Sequence, residues 1–106
     1  MKINILGTEY DYDTVLTESD IRLRDCDGYA DLYAKTIRIA TDYSENNPDA
    51  IKDFEALIKK VKRHEIIHAT FFESGLTEWA NNECLVDWVA VQFPKMLTAF
   101  KEVGAL

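Results

Sequence analysis

The stretch FEALIKKVKRHEIIH, residues 54–68, decides the fold prediction, because its apolar residues recur at steps of three and four. That spacing is typical of a helix that turns one face toward a core. The apolar stripe leads directly into His64, Glu65 and His68. The sequence therefore predicts a long amphipathic helix that carries these three polar side chains.

The start and the end of this helix also have sequence signals. Asn47 can cap its first turn, and Pro48 is tolerated at the first helical position. Asp49 and Asp53 suit the positive end of the helix dipole. We expect the helix to run to about residue 72, before Gly75 ends it.

The flanking sequence predicts a small sheet before this helix and a second helix after it. Residues 2–6 and 8–16 are predicted to be extended, and a hairpin is predicted over residues 29–40 with its turn near Ala34 and Lys35. A last helix is predicted from about Asn81 to Phe93, and Pro94 can restart it with a bend. We therefore expect an α+β fold in which residues 1–106 form one domain.

The pattern His64-Glu65-Ile66-Ile67-His68 predicts a site for one zinc ion. Residues four apart lie on the same face of a helix, so His64 and His68 can both present an imidazole nitrogen to one metal. Glu65 projects beside this pair and could take a proton from a zinc-bound water. The competing interpretation is a pair of structural histidines that contact acids or pack at the edge of the core.

A catalytic zinc site needs a third protein ligand, and the chain has no further histidine. Glu83 and Asp87 are predicted to share a helix face, with Glu83 on the zinc and Asp87 accepting the free ring N–H of a ligating histidine. Glu73 and Glu78 are alternative ligands, and a thiolate of Cys84 is a further one.

These motifs resemble a known group of enzymes. His64-Glu65-Ile66-Ile67-His68 followed by Glu83-x-x-x-Asp87 is similar to the gluzincin pattern, and residues 83–90 resemble the corresponding helix of ImmA/IrrE-type metallopeptidases and of small phage-encoded zincins. The resemblance covers about residues 28–94. It implies a minimal zincin fold and zinc-dependent hydrolysis of peptide bonds in a protein or peptide substrate, with Glu83 as the third ligand.

Composition narrows the partners and the compartment. The chain has 19 acidic and 12 basic side chains and a net charge of -7, so nucleic acid is a poor candidate partner. The two cysteines, Cys26 and Cys84, form no Cys-x-x-Cys pair and predict free thiols. We see neither a signal-length nor a membrane-spanning apolar segment, and we expect a cytoplasmic protein.

The sequence does not identify the other residues that peptide hydrolysis would need. Tyr29, Tyr33, Tyr43 and Arg63 are candidates for stabilising the oxyanion of peptide hydrolysis, and the sequence favours none of them. The aromatic residues after the histidine motif are expected to lie in the core of so small a domain: Phe71, Phe72, Trp79, Trp88, Phe93 and Phe100.

Substrate binding gives a last expectation. The strand at residues 36–40 is predicted to form the rim of the cleft with one unpaired edge, unless residues 2–16 or a second copy of the chain covers that edge. The alternative to a peptidase is a non-catalytic protein-binding module that zinc stabilises.

Overall fold

The computed structural model describes residues 1–42 and 54–106 of the chain. They form an α+β fold, as predicted, in which a four-stranded sheet precedes the helices. The predicted helix start at Asn47, Pro48, Asp49 and Asp53 lies outside the described residues, and so does Tyr43. None of the helices formed by the described part has the length and hydropathy needed to span a bilayer.

The sheet contains β1 (Lys2–Ile5), β2 (Thr8–Val15), β3 (Gly28–Asp31) and β4 (Thr36–Ala40) in the order β1-β2-β4-β3. Two hairpins, β1 with β2 and β3 with β4, are antiparallel, and β2 pairs with β4 in parallel. The first hairpin turns at Leu6 and Gly7, whose φ angles of 50° and 92° lie in the left-handed region. The second hairpin was predicted with its turn, whereas for the first the sequence predicted two extended segments.

The position of β4 contradicts one expectation. We expected residues 36–40 to have an unpaired edge, but β4 lies inside the sheet, with β2 along one side and β3 along the other. The covering by residues 2–16 that the sequence left open is the arrangement found. β3 is an edge strand, because among the described strands it pairs only with β4. It also contacts α1 (Phe54–Glu73).

Three helices follow: α1, then the short α2 (Thr77–Ala80), then α3 (Glu83–Glu102). α1 ends as predicted at Gly75, whose φ is 83°. The Gly75 amide donates to the Phe72 carbonyl and the Leu76 amide to the Phe71 carbonyl, which satisfies carbonyls that the helix end would leave without partners. α3 is assigned as a single helix with Pro94 inside it.

The core forms where α1 packs across the sheet. Tyr10, Ile37 and Ile39 of the sheet are fully buried, and Val61 and Ala69 of α1 lie in the same cluster. Burial of one such side chain contributes about 1.5–3 kcal/mol. On its opposite side α1 contacts α3, so α1 lies between the sheet and α3.

The predicted burial of the aromatic residues is wrong for four of them. Phe71 and Phe72 are partly buried, but Trp79, Trp88, Phe93 and Phe100 are all more than a third exposed. The buried residues of α3, Val86 and Ala90, both lie in its first half. In the second half of the helix Phe93, Met96 and Phe100 are all more than a third exposed.

Candidate metal centre

The candidate site lies between α1 and the start of α3. α1 carries His64 and His68 where they contact the start of α3, Glu65 follows His64 on α1, and Glu83 is the first residue of α3. The Asn82 side chain accepts a hydrogen bond from the Leu85 amide at 3.0 Å and caps α3. The cap fixes where α3 begins, and so it places Glu83 opposite the histidines.

Three ligand groups converge there: the imidazoles of His64 and His68 and the Glu83 carboxylate. The two Nε2 atoms are 3.1 Å apart, the Glu83 Oε2 atom is 3.0 Å from Nε2 of His64, and the Oε1 atom is 3.1 Å from Nε2 of His68. Four donors at zinc bond lengths of about 2.0–2.1 Å would be spaced by about 3.3 Å in a tetrahedron. This group could hold a metal ion.

The hydrogen-bond partners of the two Nδ1 atoms determine which ring nitrogen carries the proton and which carries the lone pair. His68 Nδ1 is 2.5 Å from the Ala80 carbonyl oxygen, which can only accept a hydrogen bond. His64 Nδ1 is 3.2 Å from the Asp87 carboxylate, which also accepts. These partners place the ring proton on Nδ1 in each neutral imidazole, so both Nε2 lone pairs point at each other and at the Glu83 carboxylate.

Such an arrangement lacks a positive charge. Two lone pairs and a carboxylate at about 3 Å repel one another unless a cation lies between them or one ring takes a second proton. A metal ion satisfies all three groups at once, and the outer hydrogen bonds to Ala80 and Asp87 then orient the rings. The donor set of two imidazoles and a carboxylate suits zinc and similar transition metals.

Glu65 lies beside this triad and differs from every other acid in the site. It is 5% exposed and lines a cavity with His64 and Glu83. Its carboxylate makes no hydrogen bond or ion pair with residues 1–42 or 54–106. Burial raises the pKa of the Glu65 carboxyl to about 7, an effect that His68 opposes and Glu83 reinforces.

Asp87 lies where the sequence placed it, behind His64. Its Oδ1 atom is 3.2 Å from the ring and also accepts a hydrogen bond from the Lys60 ammonium at 3.0 Å. The Lys60 hydrogen bond holds the pKa of the Asp87 carboxyl below its usual range, with a smaller contribution from His64. The two contacts keep Asp87 ionised as an acceptor for the histidine N–H.

The alternative third ligands lie outside the triad. Glu73 accepts hydrogen bonds from Thr8, Tyr10 and Lys35, and so its carboxylate is committed to the sheet. Glu78 and Cys84 are exposed and do not join the group of ligand atoms. Within the described part of the chain, the one such group contains His64, His68 and Glu83.

Three of the oxyanion candidates, Tyr29, Tyr33 and Arg63, do not line the cavity that contains Glu65. Tyr29 donates its hydroxyl hydrogen bond to Asp20, and Tyr33 is 88% exposed with its ring against Phe72. Arg63 donates from Nε to the Ala90 carbonyl at 2.6 Å, which ties α1 to α3. Tyr43 lies outside the described residues.

Other groups in the cavity were missed by the sequence reasoning. Asp25, Cys26 and Asp27 form a wall of the cavity that comes from the segment before β3, and Lys60 lines the cavity from α1. The wall precedes β3 in the chain, and its spacing from the histidine motif does not indicate that the two lie close together. Lys60 belongs to a run of basic residues, which is typical of the solvent-exposed face of a helix. The sequence therefore offers no reason to expect its contact with Asp87.

We find no match to this chain among protein-family models, curated proteins or solved structures.

Proposed function

We propose that this protein is a zinc-dependent peptidase of the minimal zincin type, similar to ImmA/IrrE-like enzymes. In this proposal His64, His68 and Glu83 hold one zinc ion, and Glu65 is the general base. The observation that carries it is the convergence of two Nε2 lone pairs and a carboxylate at 3.0–3.1 Å, with both Nδ1 atoms held by acceptors.

Glu65 supports catalysis rather than a purely structural zinc site. When bound, zinc supplies a Lewis acid that lowers the pKa of a coordinated water. The Glu65 carboxylate lies beside the proposed ligands in the same cavity, where it could accept that proton. The Glu65 carboxylate makes no hydrogen bond or ion pair within the described part of the fold, so it is available to a ligand of the cavity that it lines.

The sheet edge beside the site supports a peptide as the substrate. The Ala40 amide donates to the Asp27 carbonyl at 2.8 Å, so the alternation of antiparallel pairs turns the backbone groups of Gly28 and Ala30 away from β4. Gly28 also lines the cavity with His64 and Glu65. In this proposal an extended peptide pairs with β3, instead of β4, and so brings its carbonyl group toward the metal.

The test combines metal analysis with a matched variant. Zinc reconstitution should give about one ion per chain and a higher melting temperature, because the ligands come from two helices. Glu65→Gln should bind zinc as the wild type does but hydrolyse a mixture of unstructured peptides about 100- to 10,000-fold more slowly.

Two results would contradict the proposal. If the folded chain takes up no zinc, the proposed metal site is wrong. A zinc-loaded wild-type chain that cleaves no peptide would favour the binding module that zinc stabilises, and Glu65→Gln should then leave its folding and metal content unchanged.

A further inference from the structure

The cavity beside the metal triad has a volume of about 580 Å³ and an acidic wall. Residues 25–27 form that wall, and Lys60, His64 and Glu65 line the same cavity from α1. Its charged lining consists of one ammonium group and five carboxyl groups: Lys60, then Asp25, Asp27, Glu65, Glu83 and Asp87. Lys60 is already bonded to Asp87, and a metal ion would be held by Glu83. The negative charge of the wall is therefore not balanced by the groups opposite it.

The two aspartates of the wall differ from the other aspartates in the sheet half of the molecule. Asp11 bonds to Arg38, Asp20 to Tyr29, and Asp31 to Arg22. The carboxylates of Asp25 and Asp27 have no hydrogen-bond or ion-pair partner among residues 1–42 and 54–106. Both residues line the cavity, and their acceptor capacity is not used by the described part of the fold.

Glu65 independently marks the same cavity as a place where a ligand binds. Its side chain is 5% exposed, lines the cavity and lacks a partner in the described part of the chain. Its carboxylate oxygens are open to the cavity, since no fully buried side-chain oxygen of the described residues lacks a hydrogen-bond partner, and a bound polar group can bond to them. The acidic wall and Glu65 therefore face one volume that is suited to a polar ligand.

The wall is also positioned along the path of a peptide on β3. Residues 25–27 lead directly into β3, and the hydrogen bond from the Ala40 amide fixes the Asp27 backbone against β4. A chain that pairs with Gly28 and Ala30 and extends beyond Gly28 passes this wall. Its side chains at that point lie near the two unpartnered carboxylates.

We propose that this cavity selects a lysine or arginine side chain of the substrate peptide, and that Asp25 and Asp27 bind the positive group. The inference rests on the proposed function insofar as the bound peptide is the substrate. A hydrogen-bonded ion pair in a partly enclosed cavity corresponds to a preference of about 10- to 100-fold over a neutral side chain of the same shape.

Binding tests the proposal without requiring catalysis. The probe is a mixture of fluorescent unstructured peptides with one arginine in randomised surroundings, compared with the same mixture containing citrulline. Fluorescence anisotropy with zinc-loaded Glu65→Gln protein should show about 10- to 100-fold tighter binding of the arginine mixture. Cleavage of both mixtures by the zinc-loaded wild type is measured in parallel.

A matched pair of variants assigns the preference to the wall. Asp25→Asn with Asp27→Asn should abolish the preference while binding of the citrulline mixture, zinc content and circular dichroism stay unchanged. Glu9→Gln with Glu18→Gln removes the same charge from exposed positions outside the cavity and should keep the preference.

The outcomes separate this inference from the proposed function. Preferential binding of arginine peptides without any cleavage supports the acidic wall and contradicts the peptidase. Cleavage or binding that is equal for the two mixtures overturns the basic preference, and so does a preference that survives the double asparagine variant.

Discussion

Glu65 and Glu73 lie on the same helix, eight residues apart, and the fold treats them in opposite ways. Glu73 is held by three donors: Thr8 at 2.9 Å, Tyr10 at 2.6 Å and the Lys35 ammonium at 2.6 Å. Glu65 has no such donor in the described part of the chain. Accordingly, the Lys35, Tyr10 and Thr8 hydrogen bonds lower the pKa of Glu73 to about 2, and burial raises that of Glu65 to about 7.

The difference separates the C-terminal end of α1, which is bonded to the sheet, from the histidine cluster, which could hold a metal ion. At its C-terminal end, a carboxylate is unfavourable next to the negative pole of the helix dipole. The donors from β2 and the β3–β4 turn offset this and anchor α1 to the sheet. Toward the middle of α1, acceptors face acceptors around His64 and His68. That cluster could hold a metal ion, whereas the Glu73 carboxylate already has its donors.

The largest expected effect is on zinc affinity, which should depend on the cluster around the histidines and not on the cluster around Glu73. Glu83→Ala removes one of three ligand groups and should weaken zinc binding by more than about 100-fold, beyond the usual effect of changing a neighbour of a ligand. Glu78→Ala and Glu73→Ala should change the affinity little, because neither residue joins the triad. Competition with a chromogenic chelator measures all three. Equal losses across the three variants would mean that Glu83 is not the ligand.

The next effect concerns stability. Glu73→Gln keeps the shape of the side chain but removes the charge that binds Lys35, and it should lower the free energy of unfolding by about 2 kcal/mol at pH 7. Zinc affinity should stay unchanged. Glu102→Gln, at an exposed position near the end of α3, is the matched control and should be neutral.

The direction in which the free energy of unfolding changes with pH tests the same Glu73 cluster. The folded pKa of Glu73, about 2, lies below the unfolded value of about 4.3. Its contribution is therefore complete above the unfolded value and is lost as the pH falls toward 2. Urea unfolding between pH 7 and pH 2 should show the wild type and Glu73→Gln converging in acid. A constant difference would contradict the assignment.

Sequence patterns predicted those parts of the structure that depend on short spacings. The steps of three and four residues predicted α1, and the same spacing placed Glu83 and Asp87 on one face of α3. The strand order was not predictable, because the pairing of β2 with β4 joins segments about 25 residues apart. Glu73 remained a possible ligand in the sequence because its donors Thr8 and Tyr10 are more than 60 residues away.

The exposed aromatics and the acidic wall show a second limit. Periodicity indicates which face of a helix is apolar but not whether another element covers it, so Trp88 and Phe100 were expected to be buried. Likewise, Asp25 and Asp27 became candidates only when the fold placed them across the cavity from Glu65.

The smallest expected effect tests how Asp87 connects to the metal site. Asp87→Asn can keep an oxygen acceptor near Nδ1 of His64 but loses the negative charge that makes the imidazole a stronger ligand. We expect zinc affinity to fall by about tenfold, the low end of the range for a group that orients a metal ligand. A chelator competition on the folded variant measures this, and an affinity equal to that of the wild type would exclude an orienting role.

Lys60→Met supplies the control, because Lys60 and His64 share the same oxygen of Asp87. If Asp87 acts through His64, removal of the ammonium should leave zinc affinity within about twofold, since the salt bridge itself is partly exposed and contributes little. If Asp87 matters only as the partner of Lys60 between α1 and α3, the two variants should lose the same unfolding free energy and neither should change zinc affinity. The pair of measurements thus distinguishes a contact that orients a metal ligand from one that only joins two helices.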